Sequence, residues 1–292
     1  MQKEDIFHYL ISNKPVNYMY LSKNKKISWP MIQNNIGKPW CWNHLSANSA
    51  ITMDIIENNS QFPWTLHGVS SNPNLTINFI RKHGDRLAEF DWFCVSKNPA
   101  MTWAHVEQNP DLFWNYNGLS MNPNITWDTI QKNKKRGHWS FTYMSMNPNI
   151  DASIVSSHID RHWQLYYLCK NPNFDVEKVL MLKEIFQKQG GEGAKQSISW
   201  KYLSRNPNTT IQTFSCSKYH NFPWDWSALS QNPNVYWEYV YMTSYLPWHR
   251  SRICLNPNIT LDIVESYPGF AWDWDYLSEN EGIFSFTKDT FL

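Results

Sequence analysis

Several histidine and aspartate side chains in this sequence could bind a metal ion or act in acid–base catalysis, and their spacing indicates which of these roles is feasible. His158 and His162 are four residues apart, a spacing that can put two zinc ligands on one helical face. No third ligand accompanies them, so the sequence favours structural histidines. Asp225-Trp226 and Asp273-Trp274 suggest paired carboxylates, but they recur at one position of a repeat, which favours helix capping instead.

The remaining candidates for catalysis are weak. The cysteines are odd in number and far apart, which favours small buried residues in a reducing compartment over disulfides or a metal site: Cys41, Cys94, Cys169, Cys216 and Cys254. Gly190-Gly191-Glu192-Gly193 lacks the Lys-Ser/Thr ending and the preceding strand of a phosphate loop. No nucleophile elbow or triad signature is present. We therefore predict neither an enzyme nor a cofactor.

An apolar residue marks one position of a unit that recurs eleven times at steps of 24 to 26 residues, with a single step of 35. The residues at this position, taken as position zero of copies 1 to 11, are Leu21, Leu45, Val69, Val95, Leu119, Met144, Leu168, Leu203, Leu229, Ile253 and Leu277. Repetition at such a period is typical of a solenoid, in which each unit contacts only its neighbours.

An asparagine follows three residues later in every copy, and proline comes next in eight of them. Because proline disfavours the helical conformation of the residue before it, a helix must end at this asparagine. We hypothesise a ladder in which the asparagine side chains satisfy backbone groups of their own and the adjacent unit. These structural asparagines are Asn24, Asn48, Asn72, Asn98, Asn122, Asn147, Asn171, Asn206, Asn232, Asn256 and Asn280. The last copy is degenerate, so we expect Asn280 to contribute least.

Two short helices are predicted in each unit. An aromatic residue and the apolar residue, three positions apart, share one face of the first helix, which ends at the asparagine. A capping residue at position seven, such as Thr126, then precedes apolar residues at positions eight and eleven, such as Trp127 and Ile130. Neither helix is long enough to be stable alone.

The predicted fold is therefore an all-α solenoid of about eleven short helix-turn-helix repeats of about 24 residues with end caps. The alternative is a leucine-rich-repeat-like solenoid, which also has an internal asparagine ladder. The residues inserted between the asparagine and the following Ile argue against that alternative.

We expect a single repeat array over residues 1–292. Its predicted segments are an N-terminal cap (1–15), repeats 1 to 7 (16–182), an insertion (183–197), repeats 8 to 11 (198–280) and a C-terminal cap (281–292). In the insertion, the second helix of copy 7 is expected to continue for two or three further turns before a flexible loop.

The charge and hydropathy of the chain limit which partners it can bind. The 292 residues carry a net charge of +1, so no strong field attracts nucleic acid or an anionic membrane. The mean hydropathy is −0.57, and neither a transmembrane helix nor a signal peptide is expected. One local basic cluster follows copy 5, and its members are the candidate binding residues: Lys132, Lys134, Lys135 and Arg136. It is either a solvated turn or a contact for an anionic partner.

The 17 tryptophans recur at fixed repeat positions, which favours inter-repeat packing over platforms that stack bases or sugars. The pattern Trp-x-Trp-x-x-Leu-Ser-x-Asn-Pro-Asn-Ile-Thr, as in Trp224 to Asn234, resembles a tandem repeat of giant DNA viruses of the mimivirus-like and marseillevirus-like groups. The resemblance runs roughly from Pro15 to Glu281 and implies a viral protein of the host cytoplasm or viral factory, with the virion as an alternative location and no catalytic residues to transfer.

From the sequence we therefore predict a non-enzymatic protein-protein interaction or assembly scaffold, with a protein partner. The alternatives are an RNA- or DNA-binding repeat protein and a structural virion component. The neutral charge argues against the nucleic-acid alternative.

Overall fold

The regular structure of the chain is helical. A computed structural model describes residues 3–190 and 195–285, and within these ranges it contains helices and no strands. The all-α prediction is confirmed. The leucine-rich-repeat-like alternative is wrong for the described residues, because each unit of that fold contributes a strand. None of the described helices combines the length and apolar character that crossing a membrane requires.

The repeats supply pairs of short helices in a repeat-like array. In copies 1 to 11 the first helices are Tyr18–Leu21, Trp42–Ser46, Leu66–Val69, Trp92–Lys97, Tyr116–Met121, Phe141–Met144, Leu165–Leu168, Trp200–Arg205, Trp226–Leu229, Arg250–Ile253 and Trp274–Glu279. In copies 1 to 10 the second helices are Trp29–Gln33, Met53–Asn58, Ile77–Lys82, Trp103–Gln108, Trp127–Lys132, Ala152–Ser157, Val176–Gln189, Ile211–Ser215, Trp237–Met242 and Leu261–Ser266. A further helix, Lys3–Asn13, precedes copy 1, and 3-10 turns span Gly84–Glu89 and Glu281–Phe284.

Side-chain caps explain where these helices begin. The Thr126 hydroxyl accepts a hydrogen bond from the backbone N–H of Thr129 at the start of the second helix of copy 5. The Asn115 side chain accepts from the N–H of Gly118 at the start of the first helix of that copy. Such caps satisfy N–H groups that have no partner inside the helix. Asp273, one of the candidate paired carboxylates, caps the first helix of copy 11 in the same way.

By its internal contacts the chain divides into two compact units. One comprises Met1–Asn74 and Trp226–Leu292, and the other comprises Leu75–Asp225. The apolar position zero is 0–1% exposed in every copy, so it forms the core of both units. Helices of four to six residues are stable here because their apolar faces are buried against neighbouring copies.

In the first unit, copy 11 packs against copy 1 through the hydrogen bonds that elsewhere join consecutive copies. Ser278 Oγ accepts from the Asn17 N–H at 2.9 Å, and Asn24 Nδ2 donates to the carbonyl oxygens of Ser278 and Asn280 at 3.1 and 2.9 Å. Between copies 1 and 2, Ser22 Oγ accepts from the Cys41 N–H, and Asn48 Nδ2 donates to the Ser22 and Asn24 carbonyls.

The two segments predicted as caps lie against each other. The helix Lys3–Asn13 contacts the turn Glu281–Phe284. Lys14 forms a 2.6 Å salt bridge with Glu265 at the end of the second helix of copy 10, and the Tyr9 hydroxyl donates to the same carboxylate. Desolvation lowers the pKa of Lys14, but the hydrogen bond and the charge of Glu265, together with Tyr9, outweigh it, so the pKa is raised. Residues 286–292 of the expected C-terminal cap lie outside the described residues.

The second helix of copy 7 is extended as predicted, because it spans 14 residues, Val176–Gln189, instead of the usual five or six. It ends at Gly190, whose φ of 75° is favourable for glycine. The rest of the candidate glycine loop, residues 191–194, lies outside the described residues. Beyond it, the Gln196 side chain donates to the Trp163 carbonyl at 2.8 Å and accepts from the Leu165 N–H at 2.6 Å, which ties the insertion to copy 7.

Candidate functional site

The asparagine of position three is buried in every copy, at 0–4% exposure. Asn122 shows its role: Nδ2 donates to the carbonyls of Ser96 and Asn98 in copy 4 at 2.8 and 2.9 Å, and Oδ1 accepts from the Asn124 N–H in its own turn. Equivalent bonds are made by Asn24, Asn48, Asn72, Asn147, Asn171, Asn206, Asn256 and Asn280. The polar groups of these side chains are therefore occupied within the framework and are not free for chemistry.

Two further polar columns, which the sequence analysis did not assign, strengthen the same contact. The Ser120 hydroxyl donates to the Tyr116 carbonyl and accepts from the N–H of Ser140 in the next copy. The Asn124 side chain donates to the Pro99 carbonyl of the preceding copy at 2.6 Å. The signal was present in the repeated Leu-Ser and Asn-Pro-Asn sequences, but a bond to another copy cannot be deduced from one unit alone.

The cysteines that stand in the serine column behave as its buried equivalents. The Cys254 thiol accepts from the Asp273 N–H at 3.4 Å, and the Cys169 thiol donates to the Leu165 carbonyl. Burial raises the pKa of both thiols to about 11, so they are protonated and unreactive near neutral pH. All five cysteines are free thiols.

The tryptophan five residues before position zero both packs and donates a hydrogen bond. Trp163 is fully buried, and its Nε1 donates to the His158 carbonyl at the end of the preceding second helix. Trp40, Trp64, Trp114, Trp224 and Trp272 donate in the same way. These rings are therefore part of the inter-repeat packing.

The histidine pair does not share a helical face. His158 follows the helix Ala152–Ser157, its Nδ1 lies 3.0 Å from the Ile154 carbonyl oxygen, and His162 lies in the loop beyond. Within residues 3–190 and 195–285, no three His, Cys, Asp or Glu side chains are grouped so that they could hold a metal ion.

The basic cluster is divided by the structure. Lys132 pairs with Asp128 on its own helix at 2.7 Å, and Arg136 pairs with Glu107 at 3.0 Å. Lys134 and Lys135 form no salt bridge with any residue in the described ranges. They line a groove of about 560 Å³, whereas Arg136 lines a neighbouring groove of about 520 Å³.

These two grooves are equivalent in the repeat. We name the groove lined by Lys134 and Lys135 the basic groove, and the one lined by Arg136 and Glu107 the paired groove. The paired groove has Trp103 and Val106 from the second helix of copy 4 and Trp114 and Tyr116 from copy 5. The basic groove has Trp127 and Ile130 from copy 5 and Trp139 and Phe141 from copy 6 at the same positions. The grooves thus share an aromatic and apolar floor, and they differ mainly at their rims.

The rim residues differ in charge. Position 12 of the unit, which lies in the second helix, is Glu107 in the paired groove, where it neutralises Arg136, and Gln131 in the basic groove. Positions 15 and 16 are Pro110 and Asp111 after copy 4, and Lys134 and Lys135 after copy 5.

Arg161 completes the basic groove, with its guanidinium 5.6 Å from the centroid of the Phe141 ring. The distance falls in the range of cation–π contacts. Among the residues that the structure describes, Arg161 forms an ion pair only with the adjacent Asp160, at 3.5 Å, and both side chains are more than half exposed. No carboxylate lines the basic groove.

A close contact with Tyr116 positions the loop that carries the two lysines. A Cβ atom on Gly137 would lie only 1.8 Å from the Tyr116 ring, so only glycine fits without displacing that ring. The Tyr116 hydroxyl donates to the Arg136 carbonyl at 3.2 Å, and burial raises the pKa of Tyr116, which keeps this donor protonated. Trp139 Nε1 donates to the Asn133 carbonyl at the other end of the loop.

A third equivalent groove, of about 210 Å³, lies between copies 9 and 10 in the other unit. Its floor again has tryptophans, Trp237 and Trp248, but position 12 is Tyr241. Tyr241 is 58% exposed, and the neighbouring Met242 and Tyr245 are 78% and 82% exposed. The same framework therefore presents an ion pair, a set of cations or an aromatic surface in different copies.

Comparison of the chain with protein-family models found no match, and comparisons with curated proteins and with solved structures found no significant match.

Proposed function

We propose that this chain is a non-enzymatic scaffold that binds other proteins or assists their assembly. One observation carries the proposal: equivalent grooves with a common floor have rims of different chemistry. The polar groups of the asparagine and serine columns are used in contacts between copies. The variation is concentrated in exposed rim side chains, which is how repeat proteins acquire distinct binding surfaces.

The proposed partner is a protein rather than nucleic acid. Nucleic-acid affinity comes largely from phosphate contacts along a positively charged track. Here the net charge is +1, and acidic residues pair with basic ones beside the basic groove, as Asp128 and Glu107 do. The resemblance to giant-virus repeats suggests infected host cytoplasm, the viral factory or the virion as the place to search for the partner.

The proposal can be tested by affinity capture from infected-cell extract with the purified full chain, with and without nuclease. We expect proteins to be retained after nuclease treatment. We also expect no binding of random-sequence single-stranded RNA or DNA tighter than about 10 μM at physiological salt, measured by fluorescence anisotropy.

Submicromolar oligonucleotide binding with a steep salt dependence, lost when Lys134, Lys135 and Arg136 are all changed to Glu, would overturn the protein-scaffold proposal. So would retention of proteins that disappears entirely with nuclease.

A further inference from the structure

The basic groove differs from its repeat equivalents in having three cationic side chains, whereas each of the other two grooves has one. Lys134, Lys135 and Arg161 lie at its rim, and the side chains that line it include no Asp or Glu. The paired groove has one arginine and a glutamate that neutralises it. Because the two floors are equivalent, the difference in charge is local and is not a general property of the repeat.

A ligand of this groove must bring both negative charge and apolar surface. The cations offer charge-assisted hydrogen bonds to carboxylates, and Arg161 can do so in a bidentate manner. The floor is formed by aromatic and aliphatic side chains, among them Trp127, Ile130 and Phe141. Such a floor takes up the apolar side chains that lie beside the acidic ones.

We propose that the basic groove binds an acidic peptide segment of the protein partner, one that combines Asp or Glu residues with an aromatic or large aliphatic side chain. This inference rests on the proposed scaffold function and specifies the chemistry of its partner. The volume of about 560 Å³ lies within the usual range of about 300–1,000 Å³ for ligand sites.

The flanks of the groove favour a short peptide over a nucleic-acid strand. Asp160 lies beside Arg161, and Asp128 and Glu107 hold the cations just outside the groove. A phosphate backbone that continued beyond the groove would meet these carboxylates. A peptide can place its acidic residues in the groove and neutral residues outside it.

The test uses the full chain and a fluorescein-labelled peptide about ten residues long, made of glutamate with phenylalanine at every third position. A control peptide has glutamine in place of glutamate. We expect the acidic peptide to bind with a Kd on the order of 10–100 μM at low salt, more weakly as salt is raised, and the control peptide at least about tenfold more weakly.

The decisive comparison is between two double variants on one loop with the same change in net charge. Lys134→Glu with Lys135→Glu should weaken binding of the acidic peptide at least about tenfold. Lys132→Glu with Arg136→Glu should change it less than about threefold, because Lys132 does not line the basic groove and Arg136 lines the paired groove. Circular dichroism should show that each variant is folded. The neutral variant with Lys134→Gln and Lys135→Gln should give a smaller loss in the same direction.

Equal losses in both double variants would overturn the inference, because they would show an effect of net charge only. It would also be overturned by equal binding of the two peptides or by no binding of the acidic peptide at about 1 mM. A third contradicting result is an oligonucleotide that binds more tightly than the acidic peptide and no longer binds the variant with Lys134→Glu and Lys135→Glu. If that variant retains all the proteins captured from extract, the scaffold proposal stands and the inference about this groove fails.

Discussion

The basic groove and the paired groove are built on the same framework and differ in what they present. Trp127 and Phe141 form the floor of the first, and Trp103 and Tyr116 form that of the second. In the paired groove Glu107 holds Arg136 in a 3.0 Å ion pair, whereas Gln131 at the same position leaves Arg161 without this partner.

The comparison shows that structure and recognition depend on different positions of the repeat. Floor and ladder residues make contacts between copies, so a change there should affect stability near both grooves. Rim residues are exposed, so a change there should alter stability little and binding strongly. One residue in each second helix, Glu107 or Gln131, determines whether the groove's arginine has an ion-pair partner at position 12.

The largest effect on stability is expected from the ladder that both grooves share. Asn122→Ala removes donors to the Ser96, Asn98 and Met101 carbonyls and the acceptor for the Asn124 N–H. Because these groups are buried, we expect a loss of about 1–3 kcal/mol in the free energy of unfolding, measured by urea denaturation. Asn124→Ala is the matched control. Its side chain is exposed and water can replace its bonds, so the loss should be at most about half as large.

The same measurement at Asn280 tests the contact between the last two copies. The degenerate sequence of copy 11 led us to expect a smaller loss there. In the structure Asn280 is 4% exposed, donates to the Cys254 and Asn256 carbonyls, and its own carbonyl accepts from Asn24. We therefore now expect Asn280→Ala to cost as much as Asn122→Ala. A negligible loss at Asn280 alone would mean that the bonds between copies 10 and 11 are open in solution.

The repeat pattern predicted the framework well because each helix is specified locally. The caps, the apolar spacing and the Asn-Pro turn lie within one unit, and they gave two short helices that end at the asparagine. The contact between copies 11 and 1 was not predicted, because it depends on how successive copies are rotated, which a period of 24 residues does not specify. The split of the basic cluster was also missed, since it depends on which of its members pair with Asp128 and Glu107 in the folded chain.

A smaller effect is expected from a substitution that gives the basic groove the rim of the paired groove. Gln131→Glu should place a carboxylate within reach of Arg161, as Glu107 is placed for Arg136. We expect about three- to tenfold weaker binding of the acidic peptide and a change in stability within about 0.5 kcal/mol, because the pair is exposed. Peptide binding can be measured by fluorescence anisotropy and stability by urea denaturation.

The matched control is Glu107→Gln, which should leave peptide binding by the basic groove unchanged. If both substitutions weakened binding of the acidic peptide equally, the residue at position 12 of the basic groove would not determine its affinity for the peptide.

The smallest expected effect concerns Asp111, the residue of the copy-4 loop that corresponds to Lys135. Arg81 donates to both its carboxylate oxygens, at 2.6 and 2.7 Å, and this contact holds the pKa of Asp111 at about 2, below its ordinary value of 3.8. The carboxylate therefore stays charged throughout the neutral and mildly acidic range, and this loop keeps its negative charge where the copy-5 loop is positive. Because the pKa of Asp111 is lowered in the folded chain, the stabilisation of the fold by this ion pair is complete above the pKa of the unfolded chain and is lost as the pH falls towards 2.

A carboxyl-carbon NMR titration should give a midpoint near 2 for Asp111, and Arg81→Ala should move it back towards 3.8. Lys82→Ala, at the next residue, is the control and should leave the midpoint in place. A midpoint near 3.8 in the unmodified chain would show that the pair does not form in solution, and the contrast between the two loops would then rest on the lysines alone.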